Sequence, residues 1–98
     1  MRFNTILFLK YDGNRRGVLI TSYKGTAFRP GSFNFWVTKL KEEHSFSLEK
    51  ADRNIAVNID EIQEVKVERF KIVVKFKDEL ECPISETFHR HLKRIGKA

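Results

Sequence analysis

Ala51 to Val65 reads ADRNIAVNIDEIQEV, and the rest of the chain is organised around this stretch. Ile55-Ala56-Val57 is a short apolar run with β-branched residues, followed by Asn58 and a second apolar set, Ile59, Ile62 and Val65. The pattern predicts a buried strand, a tight turn marked by Asn and Asp, and a returning strand. Lys50, Asp52, Arg53 and Asn54 stand just ahead of the run. Polar groups at the rigid end of a buried strand can meet a partner without disturbing the core.

Upstream, Ile6-Leu7-Phe8-Leu9, with Phe3 before it, is nearly continuous in apolar residues, as a strand covered on both faces would be. Tyr11-Asp12-Gly13-Asn14 supplies turn residues, and Val18-Leu19-Ile20 returns. The turn carries Asn14, Arg15 and Arg16, and Gly17 lets the backbone pass close to a neighbour. Charged turns also serve simply to solvate hairpins, so the residues alone leave both readings open. Lys24-Gly25 marks a second turn and Thr26 to Phe28 a third short strand. After Pro30-Gly31, Ser32 is placed to cap a helix whose apolar face is Phe33, Trp36, Val37 and Leu40, at i, i+3, i+4 and i+7. Trp36 thus reads as a core anchor.

Downstream of Val65, two further strands are expected around Ile72-Val74-Phe76 and Leu80-Cys82-Ile84, with turns at Glu68-Arg69 and Asp78-Glu79. Pro83 consigns the last strand to a sheet edge. Ser85 caps a final helix with Phe88, Leu92 and Ile95 on one face and Arg90, Lys93, Arg94 and Lys97 on another. That basic stripe suits a phosphate backbone, and equally a solvated face favoured near a helix C-terminus. Seven or so strands, two short helices and no connection long enough for a parallel crossover describe one mainly β domain over residues 1–98, built of short antiparallel sheets.

Composition narrows the function. The net charge is +6, but it is unevenly placed: Lys10 to Arg29 holds five basic residues against one acidic, Ser85 to Ala98 four against one, and Pro30 to Ile84 nine against eleven. Two separated basic clusters point to a polyanion, most commonly nucleic acid. One cysteine, Cys82, excludes an internal disulfide, fits a reducing cytoplasm, and reads as a buried thiol. No apolar run approaches the roughly 18 residues of a membrane span. Spaced Cys/His ligands, HExxH, GxSxG and Gly-rich phosphate loops are all missing from the sequence, and no nucleophile stands with a base, so neither an enzyme nor a cofactor or metal site is expected. Single-strand binding would need exposed aromatics among basic residues; here only Tyr11 and Tyr23 fall beside turns. A small β-rich interaction module whose basic ends meet an acidic protein is the remaining alternative to duplex DNA.

Leu48 to Val65, LEKADRNIAVNIDEIQEV, resembles the central motif of the LytTR DNA-binding domain: a basic residue, an apolar strand, Val-Asn, then an apolar-x-x-Ile pair. Ile6 to Asn14 resembles that family's upstream strand and turn, Trp36 to Leu40 its short helix, and CPIS (Cys82 to Ser85) its last strand entering a terminal helix. The likeness implies an elongated arrangement of antiparallel sheets that reads double-stranded DNA in the major groove with loops, as a bacterial, cytoplasmic transcription or response regulator. By position it implies three contact regions: Asn14, Arg15 and Arg16; Lys50, Arg53 and Asn54; and Ser85, Glu86 and Thr87, with Arg90 beyond. The chain departs from the family pattern at Asp52, where His is frequent, at Glu86 and Thr87, where Arg is common, and in a longer first turn. The implied partners are DNA, a second copy on repeated sites and a regulatory protein. Members usually follow a receiver domain, and none fits in 98 residues.

Overall fold

A computed structural model describes residues 5–44 and 47–97. Phe3 and Phe46, both read above as apolar strand residues, lie outside the described residues. Eight strands, β1 (Ile6–Asp12), β2 (Gly17–Ser22), β3 (Gly25–Pro30), β4 (Leu48–Lys50), β5 (Ile55–Asn58), β6 (Glu64–Val67), β7 (Ile72–Lys75) and β8 (Glu81–Ile84), are joined by two α-helices, α1 (Phe33–His44) and α2 (Glu86–Arg94). They form a five-stranded sheet in the order β3-β2-β1-β5-β4 and a three-stranded sheet in the order β6-β7-β8. Every pairing is antiparallel, but the expectation of uniformly short connections is corrected: the connection through α1 carries the chain from β3 at one edge of the larger sheet to β4 at the other. The extents are 34 × 26 × 23 Å, longest in one direction. β8, with Pro83, is an edge strand as expected.

The larger sheet is the shared wall between two cores. On one face Leu7, Ala51, Ile55 and Val57 pack with Val74, Phe76, Cys82 and Ile84 of the smaller sheet and with Phe88 and Leu92 of α2. On the other, Ile6, Leu9, Val18, Ile20, Leu48 and Ala56 pack beneath Phe33, Val37 and Leu40 of α1. This double burial is why Ile6–Leu9 of β1 and Ile55–Val57 of β5 are continuously apolar instead of alternating. A bulge in β1, where the register with β2 slips between Ile6 and Phe8, turns both Leu7 and Phe8 toward the first core. Phe8 stacks there on Phe76, ring centroids 5.8 Å apart.

Where β1 bulges, the Ile6 carbonyl accepts a bond from Asn58 Nδ2 at 2.8 Å, and Asn58 Oδ1 accepts from the Asp60 backbone N–H at 3.2 Å. Asn58 is 3 % exposed. The expected tight turn and return after Asn58 is therefore corrected. Asn58 caps a single 3-10 turn, Ile59–Glu61, and the chain leaves for the second sheet instead of pairing back on β5. The reason is that β5 is already paired on both sides, by β1 and β4, while Ile59, Ile62 and Val65 find apolar cover against the first core.

Two helical expectations also shift. Ser32 does cap α1, accepting from the Phe35 N–H at 3.1 Å, but Trp36 is only partly buried against the second core and sends its indole N–H to the Pro30 carbonyl at 2.8 Å. α2 stops at Arg94, so Ile95 caps its end and is 42 % exposed. Its anchoring face is Phe88 and Leu92 alone.

Candidate nucleic-acid interface

Three loops meet at one end of the larger sheet, and main-chain bonds hold them there. The Tyr11 N–H donates to the Asn54 carbonyl at 2.7 Å, tying the end of β1 to the β4–β5 loop. The Ser85 hydroxyl donates to the Ala51 carbonyl at 3.1 Å, tying that loop to the junction of β8 and α2. Within the β4–β5 loop the N–H groups of Ala51 and Asp52 both reach the Ile55 carbonyl, at 2.7 and 3.3 Å. The three regions nominated from the sequence thus occupy one end of the domain, although 74 residue numbers separate Tyr11 from Ser85.

The acidic residues there fold the loops. Asp12 Oδ1 accepts from the N–H groups of Asn14 and Arg15 at 3.0 and 3.3 Å, shaping the first turn as Asx turns do. Asp52 Oδ1 accepts from the Asn54 N–H at 2.7 Å, which gives Asp52 an architectural use and leaves Arg53 exposed beside it. Among the described residues the Arg53 guanidinium meets no acid. Glu86 opens α2, where the helix N-terminus favours negative charge.

The basic side chains differ in how they are held. Arg15 lies over the Phe28 ring, its guanidinium carbon 4.0 Å from the centroid, so the ring orients it. Phe28 in turn closes on Gly17, where an added Cβ would come within 2.4 Å of the ring; this is the close neighbour that Gly17 was expected to admit. Arg16 is exposed with φ +52°, and its carbonyl accepts from the Gly31 N–H at 3.2 Å. Lys50 is turned toward α1, with its ammonium on the Asn34 side-chain oxygen and 5.9 Å from the Phe33 ring. Thr87, Arg90, Lys93 and Arg94 line one open groove along α2.

Ser85 caps α2 as expected, accepting from the Phe88 N–H at 3.1 Å, besides its bond to Ala51. Lys97, assigned to the basic stripe, lies beyond the end of the helix, and its ammonium is 3.7 Å from Asp60. Sequence reasoning did not bring Lys10 and Phe28 together. Both pair with Leu19 across β2 and so share one face of the sheet, a consequence of hairpin register that spacing along the chain conceals. Of the ionisable groups, burial is the largest cause raising the Cys82 thiol, to about 12; it is buried and free, as expected. Among the described residues no group of three or more His, Cys, Asp or Glu is placed to hold a metal ion, and no helix is long and apolar enough to cross a membrane.

Two antiparallel sheets thus gather loops carrying exposed basic residues at one end of the domain. The sequence matches the LytTr DNA-binding domain family over residues 1–97, and the chain belongs to that family. Its function is sequence-specific DNA binding. Among solved structures it is similar to the LytTr DNA-binding domain of a protein described as a methyl-accepting/DNA response regulator from Bacillus cereus, with a TM-score of 0.67 and 11 % identity over 92 % of this chain and 79 % of the other. At that identity the likeness bears on the fold. No curated protein matches the chain.

Proposed function

We propose that this end of the domain enters the major groove of double-stranded DNA, with Arg15, Arg16, Arg53 and Asn54 reading base edges and Lys50, Thr87 and Arg90 contacting the backbone. The observation that carries this reading is the pair of joints at Tyr11–Asn54 and Ala51–Ser85, which hold three loops together while leaving Asn14, Arg15, Arg16, Arg53, Thr87 and Arg90 exposed. Phosphate contacts set register, and Arg or Asn forks distinguish bases. Ser85 acts in this scheme as the hinge pin of the interface, and Asn14 as a supporting polar contact at its rim.

On this reading the protein is a transcription regulator of the cytoplasm that performs no chemistry on DNA. It binds repeated sites as two copies and takes its instruction from a regulatory protein. Gel-shift titration on a selected duplex and a scrambled one tests the assignment. Arg53→Ala is expected to cost about 1 to 3 kcal/mol on the selected site and much less on the scrambled one. Equal loss on both would make Arg53 a phosphate contact, and unchanged affinity for both would remove it from the interface. With about four to six phosphates engaged, log K should fall with a slope of about −4 to −5 against log salt. Absence of binding even at low salt would transfer the basic loops to an acidic protein partner.

A further inference from the structure

The hairpin joining β6 and β7 ends in Glu68-Arg69-Phe70-Lys71, closed by the Glu68 N–H on the Lys71 carbonyl at 2.8 Å. At its tip Phe70 is 89 % exposed, and Val67 beside it 65 %. Burying a phenylalanine is worth about 1.5 to 3 kcal/mol, so a tip residue left this bare gains nothing from the fold. The register fixes where the tip lies. Val67 pairs with Ile72, and Ile72 with Ile84, so the hairpin turn sits beside the end of β8, next to Ser85 and the three joined loops. Val67, Arg69, Phe70, Ile84 and Glu86 line one open groove of about 400 Å³.

From this placement the geometry points to a fourth DNA contact, resting on the reading above: Phe70 packs against the sugar edges and bases of the minor groove flanking the site that the loops read, with Arg69 on the adjacent phosphate. Two features of the tip select duplex DNA as the occupant. The groove continues directly from the β8–α2 junction, and that junction, Ser85-Glu86-Thr87, brings no positive charge of its own. Arg69 supplies the nearby one, its guanidinium carbon 5.2 Å from the Phe70 centroid, while Lys71 is engaged with Glu68 at 3.9 Å. Glu86 in the same groove is repelled by DNA, so the contact falls to the apolar ring and its basic neighbour. Apolar side chains used in this way lean on or between base steps, and flexible pyrimidine–purine steps yield most readily.

The test compares wild type, Phe70→Ala, Phe70→Leu and Arg53→Ala on one duplex selected by the wild-type chain, by anisotropy titration at two salt concentrations and by hydroxyl-radical footprinting. Phe70→Ala should keep the wild-type melting temperature, lose about tenfold in affinity, the loss expected for one apolar or stacking contact, and leave the salt slope unchanged. Its footprint should shorten on one flank, and Phe70→Leu should fall between the two. Wild-type affinity and footprint for Phe70→Ala, with Arg53→Ala still weakened, would overturn the fourth contact and leave the loop interface standing. A Phe70→Ala change confined to self-association in sedimentation would overturn it in favour of a second copy of the chain. If wild type itself leaves no footprint at low salt, the loop interface fails and this contact falls with it.

Discussion

Replacing Asn58 by alanine should be among the most damaging single changes in the protein, although it removes only one small polar side chain. Asn58 is 3 % exposed, and its amide satisfies the Ile6 carbonyl at the β1 bulge while its carbonyl satisfies the Asp60 N–H. A buried carbonyl left without a donor costs about 1 to 3 kcal/mol, and the lost bond to the half-buried turn about 0.5 to 1.5 kcal/mol. Together they give a loss of about 2 to 4 kcal/mol, a large share of the roughly 5 to 15 kcal/mol that holds a small domain together. At about 4 to 8 °C per kcal/mol, the melting temperature should fall by at least about 8 °C. Urea unfolding followed by circular dichroism measures it, with an unchanged m-value showing that the folded and unfolded ensembles are otherwise alike. Asn58→Asp sharpens the test. An ionised carboxylate would face the Ile6 carbonyl oxygen, so folding raises the carboxyl pKa above its unfolded value. Stability is then present at low pH, where the protonated acid can donate to Ile6, and is lost as pH rises through the folded pKa. An Asn58→Ala loss under about 0.5 kcal/mol, within the usual range for exposed sites, would refute the coupling of bulge and turn.

Gly17→Ala should destabilise by about 1 to 3 kcal/mol, because the new methyl meets the Phe28 ring and the Arg29 carbonyl; a wild-type melting curve would contradict that contact. Phe28→Leu removes the surface on which Arg15 rests and should lower affinity for a selected duplex several-fold, about 0.5 to 1 kcal/mol as for exposed cation–π pairs, with Phe28→Tyr restoring it; equal binding by all three would mean Arg15 needs no such support. Cys82, pushed up to about 12 by burial, should resist maleimide in the native state at neutral pH. Because its folded pKa lies above the unfolded value of about 8.5, its contribution to stability is intact below that value and is lost as pH rises toward 12, a fall that Cys82→Ala should lessen in alkaline urea melts.

Much of this molecule is legible from the order of its residues. The unbroken apolar character of Ile6 to Leu9 and of Ile55 to Val57 announces strands covered on both faces, and Pro83 announces an edge. Ser32 and Ser85 announce helix starts because a hydroxyl accepting from a third-residue N–H is a local event. What a linear reading misses depends on partners far along the chain. Nothing near Asn58 tells that it will meet Ile6, and the bulge that requires it follows from pairing. Trp36 has helix-face periodicity, yet the face reaches the edge of its core, so the indole is half covered and bonded to Pro30. The candidate interface divides the same way: Arg15, Arg16 and Arg53 are recognisable as basic residues beside turns and Arg90 as part of a helical basic stripe, whereas Ser85 as a joint, and Lys10 and Phe28 sharing a face, appear only once the strands are in register.

The joints at Tyr11–Asn54 and Ala51–Ser85 rest on backbone atoms and a single hydroxyl, so the outward side chains at Arg16, Arg53, Thr87 and Arg90 take no part in holding the loops together. Mutation can therefore exchange those side chains without dismantling the frame that presents them. The vocabulary of the domain is separable from its grammar: on the reading proposed above, a library randomised at Arg16 and Arg53, with Ser85, Gly17 and Asn58 kept, should yield folded variants that differ in the operator they prefer.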